Sequence, residues 1–571
     1  MRQNKIITRF SILLGVLFFW GNSFAQISLS INQQTIKQII PQIEKTSGYN
    51  VFYTDKLPNL DTRKDLLVSN APLEATLKEL FKGTKITFEI KPNKQVLLFQ
   101  QANKPSGNRK QVPSKLLVEA ESFDRKGGWV VDQQFMDLMG SPYLMAHGMG
   151  VPVEDASTTI SFPEDGTYYV FVRTYNWTSP WYDGKGPGKF TLAVDNKKLP
   201  VVLGDEGKQW MWQPAGTVSV KAGSSSLTLK DLTGFNGRCD AIYFTTEKGQ
   251  LPPAQATQLT DFRKKMLDIP AEPEQYSYDV IVTGGGIAGM CAAATASRLG
   301  CKVALINDRP VLGGNNSSEV RVHLGGNIGV GPNSGLGRMI REFGHSKEGN
   351  AKPAANYEDE KKELFIANEK NITLYANYRA ISVKPDGNRI ESVIIKHIEN
   401  GKEVELKAPL FSDCTGDGTI GYLAGADYNM GRESRAEYGE ELAPIQPDKM
   451  TMGSSVQWYS ADKGKPTRFP IFSYGLQFNE KNCEKVTMGE WKWETGMNFN
   501  QIDDFERIRD YGLMVIYSNW SFLKNELKDN KKYKNRALDW VAYIAGKRES
   551  RRLLGDYICL LYTSPSPRDR G

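Results

Sequence analysis

The chain has 571 residues, of which 40% are hydrophobic and 24% are charged. This length exceeds what one hydrophobic core supports, and the ordinary composition excludes wholesale disorder, so we expect several globular domains. The net charge of +7 comes from 72 basic and 65 acidic side chains spread along the chain without a long basic run. The charge pattern therefore gives no indication of a nucleic-acid partner.

The first 25 residues have the pattern of a cleaved secretory signal peptide. They begin with basic side chains, continue with an apolar stretch at 12–20 and end in small residues before Gln26. A membrane anchor is the alternative, but the apolar stretch is shorter than the ~20 residues that cross a bilayer. We expect export to the periplasm or cell envelope, with no transmembrane span after signal cleavage.

The six cysteines are scattered without C-x-x-C spacing. This pattern supports neither an iron–sulfur cluster nor a zinc site, and we expect buried free thiols.

Residues 26–101 predict a small α+β module. Apolar side chains recur at helical spacing in two places, first at Ile36, Ile39, Ile40 and Ile43 and then at Leu73, Leu77, Leu80 and Phe81. The segments TIKQIIPQIEKTSGYNVFYTD and APLEATLKELFKGTKITFEI resemble the short N-terminal domain of secretins and TonB-dependent receptors. That resemblance implies an envelope protein as partner. A polar linker is predicted at 102–115.

Residues 116–247 alternate short apolar stretches with turn signals, which predicts an antiparallel β-sandwich. The segments VEAESF, EDGTYYVFVRTY, AGSSSLTLK and CDAIYFT resemble jelly-roll carbohydrate-binding modules. The resemblance implies a glycan ligand and a calcium ion held by Glu119, Glu121 and Asp240. Carboxylates suit calcium, but ordinary edge carboxylates of a sandwich are the alternative.

Five tryptophans lie in this region, at positions 129, 177, 181, 210 and 212. We expect most of them in the core. Trp177 and Trp181 occur in a loop rich in serine, proline and glycine, so they are the candidates for stacking on a sugar. A second linker is predicted at 248–276.

A glycine-rich turn follows the apolar strand at 278–282. Gly284, Gly286 and Gly289 lead through Ile287 and Ala288 into an alanine-rich helix, and a second apolar strand follows at 303–306. This β-α-β order predicts a dinucleotide site, with the diphosphate at the helix N-terminus. A purely structural glycine turn is the alternative. The second strand ends in Asn307 and Asp308, where an acid that binds the adenosine ribose is expected.

The segment DRPVLGGNNSSEVRVHLGG at 308–326 resembles FAD-dependent oxidoreductases of the fumarate-reductase and glutathione-reductase kind. The resemblance implies FAD beside Arg309, Gly313, Gly314 and Asn315. A second segment, FSDCTGDGTIGYLA, implies that Gly416 and Asp417 approach the ribitol, although Asp417 as a helix cap is the alternative. With GKRESRRLLGDY, the resemblance covers about residues 278–557, and we predict the FAD-dependent domain at 277–558.

His323 and Arg321 lie in the segment that this resemblance places near the flavin ring. They are the candidates for catalysis, and a structural histidine is the alternative. The last residues, 559–571, do not continue the helix and strand patterns that precede them, which is typical of a non-native tail. We therefore expect an incomplete flavin domain.

We therefore expect a multi-domain chain: an α+β module, a β-sandwich jelly roll and an α/β Rossmann-like FAD domain. The predicted function is an exported FAD-dependent oxidoreductase that acts on a carbohydrate or glycan-derived molecule. The alternative is an envelope glycan-binding or signalling protein in which the nucleotide fold is a scaffold, and a lyase or hydrolase with a resting flavin or NAD is a third hypothesis.

Overall fold

A computed structural model describes residues 26–54, 57–91, 94–100, 113–325, 335, 337–344, 349–490, 493–558 and 560. The predicted signal peptide, most of the linker at 102–115 and the predicted tail apart from residue 560 lie outside these residues. The chain divides into two compact units, residues 1–112 and residues 113–571.

The first unit is a small α+β module. Its elements are β1 (Gln26–Thr35), α1 (Ile36–Ser47), β2 (Asn50–Phe52), β3 (Arg63–Pro72), α2 (Leu73–Phe81), β4 (Ile86–Lys91) and β5 (Gln95–Gln100). β1 pairs antiparallel with β3, and β5 lies between β2 and β4. Thr35 and Gln38 form a reciprocal capping box at the start of α1, whose isoleucines are buried. Both predicted helices are formed, and the resemblance to secretins and TonB-dependent receptors stays a prediction.

The second unit begins with a β-sandwich. Its elements are β6 (Lys115–Glu119), β7 (Val130–Asp132), α3 (Met136–Met139), β8 (Tyr143–Ala146), β9 (Ala156–Phe162), β10 (Gly166–Thr174), β11 (Phe190–Val194), β12 (Lys197–Lys198), β13 (Met211–Val220), β14 (Gly223–Asp231), β15 (Gly237–Cys239) and β16 (Ala241–Thr245). Two four-stranded sheets have the orders β13-β10-β16-β6 and β12-β11-β14-β9. Alternate side chains of β14, including Leu227 and Leu229, are buried in the core between the strands.

The segment predicted as a linker at 248–276 contains a helix, α4 (Ala256–Met266). Leu259 of this helix is buried with Phe171, Trp212 and Tyr243 of the sandwich. The sequence favoured a connector because the helix has few apolar side chains and prolines flank it. It is instead part of the folded sandwich.

The rest of the unit contains the parallel sheet. The elements of this part of the chain are β17 (Glu274–Ser277), β18 (Val280–Thr283), α5 (Ile287–Arg298), β19 (Val303–Asn307), α6 (Gly337–Phe343), α7 (Asp359–Ala367), β20 (Ile372–Ala376), β21 (Tyr378–Asp386), β22 (Arg389–His397), β23 (Glu403–Lys407), β24 (Leu410–Asp413) and α8 (Thr419–Leu423). The parallel sheet has the order β20-β19-β18-β24, with Thr283 aligned to Ile306 and Asp413. The turns after β18, β19 and β24 therefore meet at one edge.

A mixed region completes the chain. Its elements are β25 (Tyr428–Asn429), α9 (Arg435–Tyr438), β26 (Ser454–Ser455), β27 (Trp458–Asp462), β28 (Met488–Gly489), β29 (Glu494–Thr495), α10 (Phe505–Asn525), α11 (Lys531–Lys534), β30 (Arg536–Val541) and β31 (Arg552–Leu553). Helix α10 shares one hydrophobic cluster with Tyr143, Trp177 and Phe235 of the sandwich. In the part of the chain that the structure describes, no helix has both the length and the apolar character to cross a membrane.

Candidate functional site

The glycine-rich turn connects β18 to α5 at the edge of the parallel sheet. Gly284 has a φ of +105°, which favours glycine, and its amide donates to the Ile306 carbonyl at 2.9 Å. A Cβ at Gly289 would lie 1.8 Å from the Gly284 carbonyl oxygen, so the helix approaches the turn this closely only with glycine there. Gly286 is the N-cap residue, and no side chain caps the first turn of α5. The positive end of the helix is thus open to an anion.

A second glycine segment faces this turn. The Gly313 amide donates to the Gly285 carbonyl at 2.9 Å, and Gly286 and Gly313 form a parallel bridge. A Cβ at Gly286 would meet only the Cα of Gly314, at 3.8 Å. Larger side chains here would fill the space between the two segments.

The two segments border a cavity of about 390 Å³. Its lining includes every predicted cofactor residue except Gly289 and Gly313, which lie behind it: Gly284, Gly286, Ile287, Ala288, Asn307, Asp308, Arg309, Gly314, Asn315, Gly416 and Asp417. Several other lining residues carry no sequence signal for a cofactor site: Gln133, Gln134, Tyr378, Arg379, Phe505, Ile544, Ala545, Lys547 and Arg548. The structure thus brings the predicted residues together, and their roles stay predictions.

Asn307 and Asp308, at the end of β19, are held differently. The Asn307 side-chain amide donates to the carbonyls of Arg309 and Val311, at 2.7 and 3.0 Å, so it supports the loop. Asp308 is more exposed and pairs with Arg379 at 2.8 Å. Of the two, Asp308 therefore has the more accessible side chain and is the only one with a carboxylate to accept from a ribose hydroxyl.

Asp417 does not cap α8, which was the alternative to a cofactor role. Asp413 accepts from the Ile420 amide at 2.7 Å and the Gly421 amide at 3.2 Å and so caps the helix. Asp417 instead receives Lys547 Nζ at 2.9 Å and the Ser550 hydroxyl at 2.6 Å. These bonds hold the carboxylate at the wall of the cavity.

Four basic and two acidic side chains line the cavity, namely Arg309, Arg379, Lys547 and Arg548 with Asp308 and Asp417. Burial opposes the charge on Arg379, yet Asp137 and Asp308 beside it raise its pKa above the ordinary value. The basic excess suits a diphosphate with two negative charges.

Residues 279–560 match the family model described as FAD dependent oxidoreductase. They form an FAD-dependent oxidoreductase domain. This match confirms the enzyme class predicted from the sequence, and the substrate is not identified by it.

Comparison with individual proteins adds shorter matches. A soluble pyridine nucleotide transhydrogenase of Ectopseudomonas mendocina is 37% identical over 68 residues, which are 12% of this chain and 13% of that protein. The chain thus spans about one eighth of the curated relative it matches.

Two solved structures resemble parts of the chain. A geranylgeranyl bacteriochlorophyll reductase-like protein from Thermoplasma acidophilum has 16% identity and a TM-score of 0.21, covering 34% of this chain and 49% of that chain. A family 35 carbohydrate binding module from Clostridium thermocellum has 15% identity and a TM-score of 0.19, covering 23% of this chain and 97% of that chain. These scores are too low to assign a fold to the whole chain.

The cavity of the oxidoreductase domain fits an FAD diphosphate. The open space above Gly286, the uncapped start of α5 and the basic lining are the features that a dinucleotide requires. Bound FAD supplies electron-transfer chemistry, while the chain contributes binding, orientation and exclusion of water. Gly286 and Gly314 would leave room for the diphosphate, and Asp308 and Asp417 would offer acceptor oxygens to the sugar hydroxyls of the cofactor.

The two predicted catalytic residues do not line this cavity. His323 Nδ1 lies 2.9 Å from the Asn350 side-chain oxygen, which also accepts the His323 amide. Arg321 donates to the Ser318 carbonyl at 2.7 Å and lies over the Trp540 ring at 3.9 Å. Burial lowers the pKa of Arg321. These contacts favour the structural alternative for His323.

The calcium site predicted at Glu119, Glu121 and Asp240 is not supported. Among the described residues no group of acidic, histidine or cysteine side chains is arranged to hold a metal ion. The guanidinium of Arg263, from α4, lies 2.6 Å from Asp240 and 3.1 Å from Glu119, and Arg173 lies 2.7 Å from Asp240. Arginine cations thus pair with two of the three carboxylates that the resemblance assigned to calcium, Asp240 and Glu119.

The predicted sugar-stacking tryptophans are also placed differently. Trp177 is fully buried, donates to the Phe235 carbonyl at 2.9 Å and packs on Phe472 of the oxidoreductase domain. Trp181 packs on Tyr511 of α10, with ring centroids 5.6 Å apart. The loop is covered by the domain that follows, so it offers no open face of Trp177 to a sugar.

Proposed function

We propose that FAD binds in the glycine-lined cavity and that the chain is an exported oxidoreductase acting on a carbohydrate or glycan-derived substrate. The observation that carries the FAD part is the direct pairing of Gly286 with Gly313, next to Gly314, at the border of a cavity with a basic lining. A scaffold role is not favoured, because a scaffold needs neither an open space above Gly286 nor a basic lining.

Export and the carbohydrate substrate rest on sequence. Export is supported by the signal-peptide pattern at 1–25, and the carbohydrate by the resemblance of 116–247 to sugar-binding modules. An envelope protein partner for the first unit likewise rests on resemblance alone.

A second cavity is the candidate for the substrate. It has a volume of about 610 Å³ and is lined in part by Glu490, Trp493 and Glu494. Arg548 lines the FAD cavity and pairs with Glu494 at 2.7 Å, so one ion pair joins the linings of the two cavities. An indole with carboxylates is a lining that suits a polyhydroxylated molecule.

The test is the visible spectrum of the purified chain. After incubation with FAD and gel filtration, we expect the flavin absorption bands at one FAD per chain. Under anaerobic conditions, a panel of sugars and uronic acids should include one that bleaches these bands. A chain that retains no FAD would refute the cofactor assignment, whereas FAD retention without bleaching by any sugar would remove only the carbohydrate substrate.

A further inference from the structure

The loop between β7 and α3 of the sandwich reaches the FAD cavity. Gln133 and Gln134 line it together with the glycine turn, although they precede that turn by about 150 residues of sequence. The β-sandwich is therefore in contact with the space assigned to the cofactor, and it does more than cover the outside of the oxidoreductase domain.

Gln134 fixes the backbone of the segment that leads to Lys547. Its side-chain amide donates to the Tyr543 carbonyl at 3.0 Å, and its side-chain oxygen accepts the Ala545 amide at 3.1 Å. Asp132 accepts a further bond from the same amide group at 2.9 Å, which holds the side chain in this orientation. Because Lys547 follows two residues later and pairs with Asp417, Gln134 supports the wall that presents Asp417.

Asp137 is linked to Asp308, the second acid of the cavity, through Arg379. Its two carboxylate oxygens accept from Arg379, at 3.1 and 2.9 Å, and Arg379 donates in turn to Asp308 at 2.8 Å. Burial pushes the pKa of Asp137 up, but the charge and hydrogen bonds of Arg379 together bring it below the ordinary value. A carboxylate on both sides of Arg379 leaves its guanidinium, which lines the cavity, in one orientation.

We propose that the β-sandwich completes the FAD site, with Gln134 and Asp137 as positioning residues for the two acids, Asp417 and Asp308, that receive the cofactor. The inference rests on the proposed FAD site. It assigns to the sandwich a role in cofactor retention that is independent of any sugar. Loss of Gln134 or Asp137 should leave the glycine turn intact, but the side chain of Asp417 or Asp308 would no longer be fixed in one orientation.

Charge makes the inference testable. Asp137→Asn removes a negative charge beside the cavity, so electrostatics alone would tighten the binding of an anionic cofactor. Mispositioning of Arg379 and Asp308 would weaken it. The direction of the change in FAD affinity therefore separates a positioning role from a simple charge effect.

The experiment measures the Kd of FAD by fluorescence titration of the whole chain and of four variants, with thermal melting of each apo-protein. We expect Asp137→Asn and Gln134→Ala each to weaken FAD binding about tenfold, the effect of ~1.4 kcal/mol in misplaced hydrogen bonds. Asp137→Glu keeps the charge and should recover part of the affinity. The control is Asp183→Asn, which makes the same charge change at a sandwich side chain that is 94% exposed.

Each outcome decides the question. If the wild-type chain binds FAD and both Asp137→Asn and Gln134→Ala bind it as tightly or more tightly, the inference is wrong and the proposed function stands. If the wild-type chain takes up no FAD, both fail. Should Gln134→Ala melt at a much lower temperature, Asp137→Asn decides alone, because Asp137 is partly exposed and Arg379 keeps its pair with Asp308 in that variant.

Discussion

Arg238 of the β-sandwich binds Asp510 of helix α10 through two hydrogen bonds, at 2.9 and 2.5 Å, and both side chains are almost completely buried. In a second pair the arginine is on the helix and the aspartate is in the sandwich: Arg509 of α10 lies 2.7 Å from Asp132. Buried charges are tolerated only when they are paired, so these two pairs require both regions to fold against each other. Residues 116–247 and α10 are therefore one structural unit.

Asp510→Asn should lower the free energy of unfolding by about 3–5 kcal/mol, because it leaves the buried guanidinium of Arg238 undercompensated. The measurement is urea denaturation followed by tryptophan fluorescence, in which residues 113–558 should unfold in a single transition. Lys221→Ala, which removes an exposed partner of Asp165, is the control and should have no measurable effect. Separate transitions for sandwich and oxidoreductase domain would contradict the fused unit.

Two glycines of the turn should respond differently to alanine. In Gly286→Ala the new Cβ meets only Gly314 at 3.8 Å, so the apo-protein should keep its melting temperature while FAD affinity falls about tenfold or more. In Gly289→Ala the new Cβ lies 1.8 Å from the Gly284 carbonyl oxygen, which should destabilise the apo-protein by about 1–3 kcal/mol. Calorimetry and FAD titration of both variants provide the comparison. Unchanged FAD binding by Gly286→Ala would show that the diphosphate lies elsewhere.

Arg263 should make the sandwich independent of calcium. Chelation of divalent cations should leave the melting temperature of the wild-type chain unchanged, because guanidinium groups already neutralise Asp240 and Glu119. Arg263→Ala should lower the stability by about 3–5 kcal/mol, since it leaves buried carboxylates with one cation fewer. Arg263→Lys should be intermediate, because an ammonium cannot form the same forked contacts. A fall in the wild-type melting temperature on chelation would contradict this account.

Glu121 should make stability depend on pH in an unusual direction. Burial raises the pKa of Glu121 well above its ordinary value of 4.5, and the charges of Glu119 and Asp240 raise it further. Between 4.5 and the raised pKa the folded state binds more protons than the unfolded state, so this contribution is favourable at low pH and is lost as pH rises. Glu121→Gln removes the cost of ionisation and should therefore be more stable than wild type at pH 7.

The pH series for Glu121→Gln is best reported as a difference from wild type, which cancels the titration of all other groups. The gain at pH 7 should shrink towards zero as the pH approaches 4.5. A difference that is constant between pH 4.5 and 8 would show that Glu121 ionises normally in the folded chain.

The sequence by itself predicted several local elements, although not α4, and its resemblance to a known family predicted the enzyme class. The spacing of isoleucines predicted α1, and the order of strand, glycine turn and helix predicted the β18–α5 unit, because both patterns involve neighbours within about thirty residues. The second glycine segment and the segment with Asp417 were assigned to the same site through the resemblance to FAD-dependent oxidoreductases, and the cavity lining brings them together.

Only the tertiary structure decided which side chains contact the site residues that were predicted from the sequence. Arg263 takes the place assigned to calcium, Trp177 is buried under Phe472, and Gln134 and Asp137 support the FAD cavity from another part of the chain. Apart from Arg263 with Asp240, which are 23 residues apart, these contacts join residues far apart in sequence, and no local periodicity encodes any of them. They depend on the packing of the sandwich against α10 and the parallel sheet, which brings these side chains close together in space.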